Sequence, residues 1–229
     1  MATVYANSSD GYVIRFNQSS WSDARDNASG THVSSTITRH YIGVSAYSSA
    51  TRGGGTAWTI YRSFFSFDTS GITDSVDDGA VLKIYGYSNV SGDLIAVKAT
   101  SDISSLGTAD FNSIDGWVYN TTDGSGGGSN DSNVTKYSAE ITSWSSSGYN
   151  DITLNAQART DMQVNDILYI ALVNYDYDVL DVDPSGASDT RNGLYYQNSS
   201  GTSHDPYIDY DTTAVATTAD NAIFFGANF

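Results

Sequence analysis

Residues 61–88 read YRSFFSFDTSGITDSVDDGAVLKIYGYS, two alternating runs around a polar linker. In the first run Tyr61, Phe65 and Phe67 fall on one face, with Arg62 and Ser66 on the other. In the second, Ala80, Leu82, Ile84 and Gly86 alternate with Val81, Lys83, Tyr85 and Tyr87. Side chains change face at every residue of a strand, so each run sets one face against a core. The linker carries Gly71, Gly79 and several Asp and Ser residues suited to turns, and Ile72 is placed to plug the end of a sandwich.

The same period recurs along the chain. It predicts strands within residues 2–16 (broken by a turn at residues 7–11) and over residues 38–47, 58–67, 80–88, 94–100, 136–144, 152–156, 167–174, 194–197 and 207–211. ILYIALVN, residues 167–174, is the most apolar run and is expected as the central core strand. Residues 17–37 read as a polar loop anchored by Trp21, and residues 48–57 as a flexible loop around Gly53, Gly54 and Gly55. Residues 116–120 are short and aromatic, and residues 121–133 are a low-complexity loop tip. Short helices fit residues 101–113 and 158–164. There is no internal repeat and no linker, so residues 1–211 read as one all-β antiparallel sandwich domain. Residues 212–229 form a C-terminal extension. Its Ile223, Phe224, Phe225 and Phe229 are too apolar for a free end. They are expected to dock on the domain or on a neighbouring subunit, or to form a last strand of the same sandwich.

Composition sharpens the class. Of 26 acidic residues only Glu140 is glutamate, which leaves 25 aspartates. Aspartate favours turns and caps over helix surfaces, and 17 tyrosines favour strands. A chain of 229 residues with no cysteine forms its core without disulfides or thiolate metal sites. The net charge of −16, with 10 Lys and Arg, argues against a nucleic-acid partner and an anionic membrane surface. There is no run long and apolar enough to insert in a membrane, and the N-terminus lacks the basic and apolar regions of a secretory signal. That start leads us to expect synthesis in a host cytoplasm, without secretion.

Order of motifs adds a resemblance. Phe67-Asp68-Thr69-Ser70-Gly71-Ile72, a spacer, and Ala80-Val81-Leu82-Lys83-Ile84-Tyr85 resemble the DNRLRE-type jelly-roll domains. Asp10-Gly11-Tyr12-Val13, Tyr41-Ile42-Gly43-Val44 and Pro206-Tyr207-Ile208-Asp209-Tyr210 resemble that family's opening, second and closing strands, so the likeness spans residues 3–211. Domains of this type occur in secreted carbohydrate-binding modules and in phage virion proteins. The resemblance implies a jelly-roll sandwich with a binding or assembly role and no enzymatic activity, and it supplies no ligand site to carry over.

Candidate chemistry lies in acids and aromatics. Asp176, Asp178, Asp181 and Asp183 place four carboxylates in eight residues, a density that suits Ca²⁺ or a solvated acidic loop. Asp74, Asp77 and Asp78 form a sparser second group. No cofactor is otherwise required. With 25 aspartates some pair always falls at a glycosidase spacing, so such pairs carry no specificity. His32, His40 and His204 are dispersed, and no serine elbow or phosphate loop occurs. Trp117, Tyr119, Tyr175, Tyr177, Tyr195 and Tyr196 are candidates for stacking on sugars, and a subunit contact would use the same residues. The expected function is a phage virion structural protein, a capsid decoration or tail-appendage protein. Its expected partners are other virion proteins, further copies of itself and surface glycans. The alternative is a carbohydrate-binding module of a bacterial cell-surface or secreted system.

Overall fold

A computed structural model describes residues 1–49, 55–100, 103–119, 127–184, 188–197 and 201–214. The extension residues Ile223, Phe224, Phe225 and Phe229 lie outside the described residues. The strands are β1 (Ala2–Tyr5), β2 (Gly11–Gln18), β3 (His32–Ser34), β4 (Arg39–Ser49), β5 (Gly55–Asp68), β6 (Ser75–Val76), β7 (Val81–Ser88), β8 (Leu94–Lys98), β9 (Tyr149–Thr153), β10 (Ile167–Asn174), β11 (Ser188–Asp189), β12 (Asn192–Tyr195), β13 (Tyr207–Tyr210) and β14 (Thr212–Thr213). The α-helices are α1 (Trp21–Asp26) and α2 (Ala156–Val164).

The protein is an all-β antiparallel sandwich. Twelve strands form one sheet that folds into two layers, with β6 and β14 as a separate pair. One layer joins β1, β13, β7, β9 and β12; the other joins β2, β3, β5, β8, β10 and β11. Strand β4 serves both, since Arg39–Ile42 pairs with β12 and Gly43–Ser49 pairs with β5. The corner falls at Gly43, whose φ of 123° is a backbone state that favours glycine. A Cβ there would sit 2.5 Å from the Thr190 carbonyl.

Alternation explains the first core. Leu82, Ile84, Ile152, Leu194 and Ile208 face Phe65, Phe67, Leu168, Ile170 and Leu172 across the layers. Ala158 and Met162, one turn apart on α2, close one end. Asn155 caps α2 by accepting from the Ala158 N–H at 3.0 Å. Ile72 is buried in the same cluster, as its place in the linker suggested.

The second face of β5 and β10 differs from expectation. Ile60, Phe64, Ala171 and Val173 on that face are also buried, and Arg62 is fully enclosed there. A cover of α1, two 3₁₀ turns (Ile103–Ser105 and Thr108–Asn112), residues 113–119 and 127–134 and a π-helical turn at Tyr175–Val179 creates a second core. Residues 17–37, expected as loop, contain α1 and β3, with Ser20 capping α1. Residues 136–144 are no regular strand. Tyr137 and Trp144 have opposite parity yet enter one core, and only Lys136 and Ile141 bridge to β8.

Candidate functional site

The outer face of the layer built from β1, β13, β9, β7 and β12 is tiled with tyrosines. Antiparallel register brings the rings together. Tyr5 pairs with Tyr207, Tyr85 with Tyr149, and Tyr195 with Arg39. Ring centroids run Tyr5–Tyr207 5.5 Å, Tyr207–Tyr149 5.0 Å, Tyr149–Tyr85 5.2 Å, Tyr85–Tyr195 5.6 Å, Tyr195–Tyr87 5.7 Å and Tyr87–Tyr41 5.7 Å. His204 stacks on Tyr195 at 4.7 Å and meets Tyr85 edge-on at 4.2 Å. The Tyr87 ring lies over Gly193, where a Cβ would meet it at 2.7 Å, so only glycine leaves it room. All of these rings are partly exposed, and Tyr5 is 46% exposed.

Cations flank the row. The Arg39 guanidinium stands 5.0 Å from the centre of Tyr87 and 5.9 Å from that of Tyr195, and its Nη1 donates to the Tyr195 hydroxyl at 3.3 Å. Arg191 lies 4.8 Å over Tyr41, held by Asp189. Burial first, then the neighbouring phenol of Tyr41, pushes the Tyr87 hydroxyl up to about 12. Burial likewise raises Tyr149 to about 12, with Tyr207 adding to it. Both phenols therefore remain hydrogen-bond donors at neutral pH. Such a face can stack on flat apolar surfaces and donate hydrogen bonds at its rim.

Of the aromatic candidates named from sequence, the structure puts Tyr195 at the centre of this row. Tyr196, the next residue, points inward and is fully buried, stacked on Phe65 with its hydroxyl 2.7 Å from Ser63. It therefore presents no ring to a ligand, as strand alternation requires. Trp117 is also withdrawn, buried in the second core beneath Arg62 at 4.2 Å and Arg25 at 5.2 Å. Tyr119 is exposed but stands apart from the row. Tyr175 donates to Asp131 at 2.7 Å, and Tyr177 packs partly buried on the second core. Tyr5, Tyr41, Tyr85, Tyr87, Tyr149, Tyr207, Arg39 and His204 were absent from the sequence-based candidates. Their signal is the outward position on each strand: Lys83, Tyr85 and Tyr87 share a face of β7, opposite Leu82 and Ile84.

The four aspartates proposed for Ca²⁺ do not converge. Asp178 accepts from Nε and Nη2 of Arg62 at 2.8 and 2.7 Å. Asp181 accepts from the Trp21 indole at 2.9 Å and Asp183 from the Trp58 indole at 2.8 Å. Asp176 is the one of the four that joins a three-carboxylate group among the described residues. The π-helical turn separates Asp176 from Asp178, because residues two apart on a helical turn do not face one another. Asp176 instead meets Asp93, just before β8, and Glu140. One oxygen of each lies within 4.8 Å of the others. Burial and then the Asp93 charge raise Asp176, and burial with a hydrogen bond to Asp93 raises Glu140. Three oxygens are half of the smallest set that Ca²⁺ takes, so carbonyls and water would complete it.

Two further buried carboxyls are Asp10, just before β2, and Asp205, just before β13. Asp10 accepts from the Gln197 N–H at 2.8 Å, while its Oδ1 has no partner among the described residues. Asp205 is also buried, and its Oδ1 likewise has no partner among the described residues. Burial pushes Asp10 up to about 8, the Gln197 N–H opposes the shift, and the Asp205 charge adds to it.

Comparison with known protein families finds no match for this chain, and comparison with curated proteins finds none.

Proposed function

We propose that this chain is a non-enzymatic structural protein of a phage virion, a capsid decoration or tail-appendage protein, which adheres to surface glycans through its tyrosine face. The observation that carries the reading is the continuous row from Tyr5 to Tyr41, laid on a rigid sheet and flanked by Arg39 and Arg191. Aromatic rings stack on the C–H faces of sugars, while phenols and guanidinium groups orient the hydroxyls. A sandwich with two buried cores and no disulfide suits a part made in many copies, and a charge of −16 keeps dense copies from clumping. The order of motifs shared with jelly-roll domains supports the same role.

The test is proteomic and immunogold examination of phage particles from a lysate that contains the protein, joined to a glycan array. Stable copies on particles and array signals lost in Tyr85→Ala and Tyr195→Ala are expected. A monomer never found on particles would overturn the virion role. Tyrosine-dependent glycan binding without particles would favour a carbohydrate-binding module of a bacterial surface or secreted system, a reading the same face supports.

A further inference from the structure

We infer that the tyrosine face is built for an acidic saccharide, one whose sugar rings carry carboxylates, and that Arg39 is the group that reads the carboxylate. This rests on the reading of the face as a glycan-binding surface.

Charge pairing singles Arg39 out. Among the described residues, every other Lys and Arg has a carboxylate within ion-pair distance: Arg15 with Asp23, Arg25 with Asp26, Arg62 with Asp178, Lys83 with Asp151, Lys98 with Asp161, Lys136 with Asp131, Arg159 with Asp78 and Arg191 with Asp189. In a chain with 26 acids and 10 bases a cation left without an acid is unexpected. Arg39 is exposed, and it lies over Tyr87 and Tyr195, in the middle of the row. Among the described residues its side-chain hydrogen bond, to the Tyr195 hydroxyl, uses Nη1. Other N–H groups of its fork remain for an incoming carboxylate, and a guanidinium fork matches that group in two parallel hydrogen bonds. His204, stacked on Tyr195, adds a second donor beside it.

The rings on either side set the rest of the ligand. Tyr149 and Tyr85 lie on one side of Tyr195, and Tyr87 and Tyr41 on the other, so several sugar units can lie along the row. The net charge of −16 repels a polyanion at a distance, so the attraction is confined to the Arg39 contact.

The experiment is an array of uronate-bearing, sialate-bearing and neutral glycans, followed by titration with oligogalacturonate and its methyl ester. Carboxylated glycans are expected to dominate the array. Esterification, or Arg39→Gln, is expected to weaken binding about tenfold, the loss of one charge-assisted contact. Arg39→Lys should restore part of it, and Tyr195→Ala should remove binding to acid and ester alike. Acid and ester binding equally, with both lost in Tyr195→Ala, would overturn the carboxylate assignment and leave glycan adhesion standing. Neutral glycans alone, or no glycan at all, would also overturn it. Unchanged thermal unfolding of Arg39→Gln separates lost recognition from lost folding.

Discussion

Asp178 takes both hydrogen bonds of the Arg62 fork, at 2.8 and 2.7 Å, across 116 positions of chain, and neither side chain is more than 1% exposed. Arg62 stands on β5 and Asp178 on the π-helical turn that lies over the sheet. The guanidinium is also sandwiched between Phe111 at 4.0 Å and Trp117 at 4.2 Å. It donates further to the Phe111 carbonyl and the Asn112 side chain. One side chain thus pins three covering segments to the sheet.

Breaking this pair should be costly. Asp178→Asn leaves a buried cation short of its counter-charge, and a loss of about 3–5 kcal/mol is expected. Urea unfolding is the measurement. Arg62→Met combined with Asp178→Leu should cost less than the sum of the single changes. Strict additivity would mean that the pair does not act as a unit.

Asp10 makes stability depend on pH. Its folded carboxyl titrates near 8 against 3.8 when free. Well below pH 3.8 both states hold the proton, so there is no penalty. As pH rises towards 8, the unfolded chain releases a proton that the folded chain keeps, and stability falls. Asp10→Asn should leave stability at pH 3 nearly unchanged and raise it at pH 8.5, by no more than about 6 kcal/mol. Identical pH profiles for the variant and the parent would show that Asp10 is not the source.

The Asp93, Glu140 and Asp176 group should respond to Ca²⁺ by a change of sign. In chelator, Glu140→Gln relieves repulsion and is expected to raise the melting temperature slightly. In millimolar Ca²⁺ the same variant should melt below the parent, which alone keeps all three oxygens. Equal effects in both buffers would mean that no cation binds there.

Gly43→Ala should damage the corner of β4. The φ of 123° and the 2.5 Å approach to the Thr190 carbonyl leave no place for a methyl group. A loss of about 2–4 kcal/mol is expected by thermal or urea unfolding. A neutral substitution would show that the strand turns elsewhere.

Strand periodicity carried most of the fold. Phe65 and Phe67 do enter the first core, whereas Tyr61 on the same face is buried against Arg191 and His40 outside that cluster, and β10 does run between β5 and β8, buried along nearly its whole length. Arg62 was less legible. A charged residue at an alternate position reads as solvent-facing, and only the loops that fold over β5 reverse that. Those loops have no strand periodicity, so residues 103–119 and 127–134 gave no sign of forming a second core. The acidic run misled for a related reason. Spacing along the chain says nothing of which way a π-helical turn aims each carboxylate, whereas Asp93 and Glu140 reach Asp176 from distant segments. The tyrosine face was half visible. Tyr85 and Tyr87 announce an outward aromatic strip, but only strand register shows that Tyr149, Tyr195 and Tyr207 continue it.

Strand β13 fills the gap between β1 and β7, pairing Ala2 with Tyr210 at one edge and Val81 with Asp209 at the other. The opening segment must therefore wait for a strand about 200 positions further along the chain before its hydrogen bonds can form. Until then two sheet edges stand open to the wrong neighbour. Folding of this domain is expected to be slow and sensitive to loss of β13, because a stitch far along the chain closes the first seam.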